Sequence, residues 1–215
     1  MIRAEYAGCG KSYACEHMQQ RGHNVLFVCP TNVLAKKYDN DISTGITINI
    51  FFSIGMTEDS KLKRFDDSPY DTIVFDEIYF HDIRKLARIK HYCEKHPEKI
   101  IIATGDTNQL ETIAMMSNTK DYDEYSDHCI DTIFPNRMFL KENKRLKNED
   151  DKQKLKQLKK DIFNNDISVK NIINKYFKTT IRHDTLSNLA YRNSTCETVA
   201  NNVRQLLNKK LEYEV

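Results

Sequence analysis

"AEYAGCGKSY", residues 4–13, decides how the rest of this chain is read. Gly8 and Gly10 let the backbone curl so that successive N–H groups face an anion. Lys11 adds a long cation, and Ser12 adds a hydroxyl within reach of a divalent ion. The pattern is G-x-x-x-x-G-K-S except at its first glycine, where Glu5 stands. That position shapes the approach to the loop and leaves the phosphate-facing groups in place. Ala7, Gly8, Cys9, Gly10, Lys11 and Ser12 are therefore the candidate nucleotide-binding residues. "MIRAEY" reads as a short strand before the loop. Residues 11–21 read as a helix whose positive dipole end faces the same anion.

Strands and helices alternate outward from this loop, the signature of an α/β fold with a parallel sheet flanked by helices. "NVLFVC" (24–29) is a β-branched and aromatic strand, and Asn32–Tyr38 a short helix after Pro30-Thr31. "GITINIFF" (45–52) mixes strand and turn. "DTIVFDE" (71–77) and "KIIIATGD" (99–106) read as buried strands that end in carboxylates. Ile83, Leu86, Ile89 and Cys93 recur at helical spacing over 82–96, and Pro97 ends that run. After residue 110 the character shifts: "SNTKDYDEYSD" (117–127) is a polar loop, and "RMFLKENKRL" (137–146) a short strand entering a charged stretch. Residues 149–163 follow a helical pattern, "TLSNLAYRN" (185–193) reads as a strand, and Ser194 with Glu197 forms a capping box. The expected division is a P-loop α/β domain over 1–135 and a partial second domain over 136–215.

Composition narrows the class. Of 215 residues, 40% are hydrophobic, enough for a core, and 30% are charged. Lys and Arg total 33 against 31 Asp and Glu, so local patches rather than net charge decide the partners. No apolar run approaches the ~20 residues of a membrane span, and the N-terminus lacks a secretory apolar segment. A soluble, intracellular protein is expected. None of the six cysteines forms a C-x-x-C pair, which argues against zinc ribbons and thioredoxin-like sites. The seven histidines show no ligand spacing, so no zinc is expected.

In open parallel sheets, ligands bind at the carboxyl ends of strands. Three such ends carry polar signals: "AGCGKS", Asp76-Glu77, and "GDTNQ" at 105–109. The chemistry follows from P-loop logic. Lys11 reaches the β- and γ-phosphates. Ser12 and Asp76 hold Mg2+, and Glu77 orients or deprotonates the attacking water.

Through "GDTNQL" (105–110) the sequence resembles superfamily 1 helicases, nearest the RecD/Dda-like branch. "AGCGKS" resembles motif I, "CPTNVLA" (29–35) motif Ia, and "TINIFF" (47–52) the segment after it. "VFDEIYF" (74–80) resembles motif II, "TGDTNQLETI" (104–113) motif III, and "LKENKRL" (140–146) motif IV. "LAYRNSTCETVAN" (189–201) resembles a later strand–helix stretch of the second domain. The resemblance implies ATP with Mg2+, a single-stranded DNA or RNA partner, Gln109 as a γ-phosphate sensor, and Arg145 as an arginine finger. It also implies backbone contacts to the nucleic acid from Pro30, Thr31, Asn32 and Thr47, with Phe51 offering a stacking face to a base. Such helicases are common in viruses.

This sequence departs from the family pattern at several places. Asn49 stands where a histidine is usual, and Glu111-Thr112 replace the prolines after the Gln-Leu pair. Motifs V and VI have no counterpart, which implies a trimmed core. Two further classes share the phosphate loop: a fragment that binds nucleotide and nucleic acid without turnover, and a small-molecule P-loop kinase. "GDTNQL" and the lack of an Arg-rich lid count against the kinase.

Overall fold

A computed structural model of the chain describes residues 1–4, 8–39, 43–55, 65–106, 128–164, 167–176 and 201. Six strands form one sheet in the order β3-β2-β4-β5-β1-β6. They are β1 (Ile2–Ala4), β2 (Val25–Cys29), β3 (Thr44–Thr47), β4 (Thr72–Phe75), β5 (Ile100–Gly105) and β6 (Met138–Leu140). Every neighbouring pair is parallel. The helices are α1 (Lys11–Gln20), α2 (Asn32–Tyr38), α3 (Ile48–Phe51), α4 (Ile83–Lys95), α5 (Glu149–Ile162) and α6 (Val169–Tyr176), with a 3-10 turn at Ile78–Phe80 and a helical stretch at 128–133.

The central strands are buried on both faces, which is why they read as continuous apolar runs rather than alternating ones. All five residues of β2 are buried. The period of two still sorts them. Leu26 and Val28 pack with Ile73, Phe75, Leu86 and Ile89 on one face. Val25, Phe27 and Cys29 pack with Cys15, Ala35 and Tyr38 on the other. Helix α4 sits on the first face because Leu86 and Ile89, three apart, bury together. Asp82 starts that helix by accepting a hydrogen bond from the Lys85 N–H at 3.0 Å. Burial pushes the thiols of Cys15 and Cys29 up to about 12, so both behave as small hydrophobes.

Helix α2 approaches β3 closely. A Cβ added at Gly45 would lie 2.1 Å from the Ala35 carbonyl oxygen, so no larger residue fits there. This contact brings the last residue of α2, Tyr38, flat against Phe27, with ring centroids 4.1 Å apart and planes 3° from parallel.

Within the 45–52 stretch, expected to mix strand and turn, the strand ends at Thr47 and residues 48–51 form a helical turn: Thr47 caps it by accepting from the Ile50 N–H at 3.3 Å. The first compact unit runs from Met1 to Lys152, and β6 pairs with β1 in the same sheet. The second unit is Gln153–Val215. In it, Asp161 accepts hydrogen bonds from Gln157, Lys175 and Tyr176 at 2.7–2.8 Å. Among the described residues no helix is long and apolar enough to cross a membrane. Ala7, Gln109, the loop at 117–127, the 185–193 strand and the Ser194 capping box lie outside the described residues.

Candidate nucleotide site

The carboxyl ends of the strands gather the chemistry. A cavity of about 770 Å³ is lined by Gly8, Cys9, Gly10, Lys11 and Ser12 from the loop and by Asp76, Glu77, Tyr38 and Arg145 from elsewhere. Residues far apart in sequence thus share one space, because β1, β2, β4 and β5 run parallel and end on one side.

The loop is built as the glycines require. Gly8 and Gly10 have φ of 85° and 91°, in the left-handed region that side chains disfavour. Gly10 immediately precedes α1, and no side chain caps that helix start. Its free N–H groups are thus available to an anion. Gly8 also has a steric reason. A Cβ there would meet the Arg145 Cβ at 2.7 Å. The Lys144 N–H donates to the Gly8 carbonyl at 2.9 Å, and Asn143 Oδ1 accepts from the N–H groups of Arg145 and Leu146 at 2.9 Å. This turn presents Arg145 to the same cavity while leaving it exposed. Lys11 is buried against the site.

Asp76 and Glu77 follow β4 directly. Asp76 is buried and holds its backbone N–H against the Val28 carbonyl at 3.0 Å. Glu77 has φ of 51°, an unusual backbone for a glutamate, and it turns the chain into the 3-10 segment. Burial pushes its carboxyl above the usual carboxylate range, with nearby Lys11 pulling the other way. A raised carboxyl suits a general base working near neutrality.

One hydroxyl joins the two candidate cation ligands. Tyr38 Oη lies 2.6 Å from Ser12 Oγ and 2.7 Å from Asp76 Oδ2. Having a single proton, it donates to the carboxylate and accepts from Ser12. Thr104, one residue before the β5 terminus, donates to the other oxygen of Asp76. The hard oxygen set of a serine hydroxyl and a carboxylate beside phosphate-binding groups fits Mg2+. Among the described residues no cluster of three or more His, Cys, Asp or Glu forms a separate metal site.

The nucleic-acid candidates divide. Pro30 and Thr31 line a second cavity of about 320 Å³ with Val33, Leu34, Tyr79 and Phe80. Thr31 also caps α2 by accepting from the Leu34 N–H at 3.3 Å. Asn32 is exposed beside it. Thr47 is buried and occupied as the α3 cap. Phe51 is buried among Phe52, Phe75 and Tyr92, with ring centroids 4.9–5.8 Å away. With 6% of its surface exposed, the Phe51 ring packs into the core rather than standing on the surface. Sequence reasoning missed Tyr38, which lies outside every motif segment, and Thr104, which opens the motif III segment without having been assigned a role.

A family model described as the viral superfamily 1 RNA helicase core domain matches residues 6–204. Solved structures share the fold at low identity. Pif1 helicase from Candida albicans superposes with a TM-score of 0.66 at 16% identity, covering 99% of this chain and 51% of that one. Pif1 from Bacteroides with ADP-AlF3 and ssDNA gives 0.61 at 14%, covering 98% and 54%. Bacteroides Pif1 bound to ssDNA gives 0.59 at 15%, covering 94% and 52%. The chain therefore spans about half the length of the structures it matches. No curated relative matches the sequence.

Proposed function

The chain belongs to the viral superfamily 1 RNA helicase core family, and from that premise we propose that it binds and hydrolyses ATP with Mg2+ to move along a nucleic-acid single strand. The carrying observation is the convergence of Lys11, Ser12, Asp76, Glu77 and Arg145 around one cavity of nucleotide size. In this reading the loop N–H groups and Lys11 grip the β- and γ-phosphates. Ser12 and Asp76 hold the Mg2+, which neutralises charge on the phosphates. Glu77 takes the proton of the attacking water, and Arg145 stabilises charge on the transferring phosphoryl group. Ala7 belongs to the loop, and Gln109 senses the γ-phosphate. Pro30, Thr31 and Asn32 contact the strand backbone, with Thr47 acting through the segment it caps. Residues 136–215 form part of a second RecA-like domain.

Single-stranded DNA is the proposed track, supported by the fold shared with Pif1 structures that hold ssDNA. The family model's description favours RNA as a second reading. Backbone contacts do not distinguish the two sugars, so competition between ribo- and deoxyribo-oligomers separates them. The test of the main reading is Mg2+-dependent ATP hydrolysis by the full chain with and without single strands. Stimulation is expected; nucleotide binding without turnover under any strand would leave a binding fragment instead.

A further inference from the structure

Tyr38 lies beyond the 29–35 segment that resembles motif Ia, yet its hydroxyl sits between both candidate cation ligands. We propose that Tyr38 is a positioning residue of the cation site. Its hydroxyl relays a hydrogen bond from Ser12 to Asp76 and, with Thr104 on the other carboxylate oxygen, fixes the orientation in which Asp76 meets a nucleotide-bound divalent ion. The inference rests on the proposed nucleotide site.

Three observations carry it. First, the relay has a direction set by proton count. Ser12 donates to Tyr38, so the serine proton is turned away and its lone pairs stay free for a cation. Tyr38 donates to Asp76 Oδ2 and Thr104 donates to Oδ1. Secondly, both described donors on Asp76 are neutral. They orient the carboxylate and leave its negative charge for an incoming cation. Thirdly, the tyrosine is held rigidly. It is buried, stacked on Phe27, and carried by a helix pressed against Gly45. Partners that orient metal ligands in this way are worth about 10–100-fold in metal affinity when removed.

The variant Tyr38→Phe keeps the ring and removes the relay. Mn2+ binding to the ADP-loaded full chain, followed by electron paramagnetic resonance, should weaken about 10–100-fold. ADP affinity in EDTA should stay within about twofold, since the loop N–H groups and Lys11 are untouched. A purely structural tyrosine would lower both together. Thr104→Val supplies a second reading from the opposite oxygen and serves if Tyr38→Phe melts early; it should weaken Mn2+ in the same selective way. Unchanged Mn2+ affinity in these variants, or an equal loss of ADP affinity in EDTA, overturns the inference. A wild-type chain that binds neither ADP nor Mn2+ overturns the nucleotide site itself, and the inference with it.

Discussion

Two buried aspartates, one in each compact unit, show how similar burial serves different ends. Asp76 is 2% exposed and Asp161 5%. Asp161 accepts from a lysine, a tyrosine and a glutamine, all within its own pair of helices. Its charge is answered internally by Lys175, whose hydrogen bond, followed by that of Tyr176, holds its carboxyl down to about 2. Asp76 meets only neutral hydroxyls among the described donors. A carboxylate compensated by its own fold is a tie between elements. One that is oriented but not neutralised is prepared for something from outside.

The largest expected effect falls on the Asp76 side of this contrast. Lys11→Ala should lower strand-stimulated ATP hydrolysis by about 10³-fold while leaving the thermal melt unchanged. Undiminished turnover would mean that the loop does not bind the phosphates. Glu77→Gln should retain Mg-ATP binding and lower turnover about 10²-fold or more. Equal loss of binding and turnover would make the Asp-Glu pair a structural turn.

Effects on the Asp161 side should be confined to stability. Asp161→Ala should lower the melting temperature on the order of a few degrees, with ATP affinity within about twofold of wild type. Because its folded pKa is depressed, its contribution is complete above 3.8 and lost as pH falls toward about 2. An acid melt of the variant should therefore lack a component of pH dependence in that window.

The smallest effect concerns His81, wholly buried at the end of the 3-10 turn after Glu77, with neither ring nitrogen hydrogen-bonded among the described residues. Burial drives its pKa down to about 3 from an ordinary 6.5. Below pH 6.5 the unfolded chain takes up a proton that the folded chain refuses, so stability falls from there toward pH 3. His81→Leu should flatten that slope and raise stability by about 1 kcal/mol. An unchanged slope would show that the imidazole is solvated or paired.

Much of the first unit was legible because its strands are short apolar runs and its ligands sit at their ends. The loop, the Asp76-Glu77 pair and the α2 span are where the residues placed them. Arg145 was legible only through resemblance, although the contact of its Cβ with Gly8 gives a physical reason for that glycine. Tyr38 was not legible: its hydroxyl acts on Ser12 and Asp76, 26 and 38 residues away, through a stack on Phe27. The point where strand gives way to turn was not legible in 45–52: β-branched and aromatic residues favour strands, while the Thr47 cap starts a helical turn at Ile48–Phe51. Helix α6 did leave a signal in Val169, Ile172, Ile173 and Tyr176 behind a capping Ser168, at helical spacing.

Calorimetric titration of ATP into the full chain, with Mg2+ and with EDTA, and repeated on Lys11→Ala, tests the convergence at Asp76 most directly. Binding that tightens with Mg2+ and is lost without Lys11 is the expected result. Absence of ATP binding, or affinity indifferent to both the ion and the lysine, would contradict it.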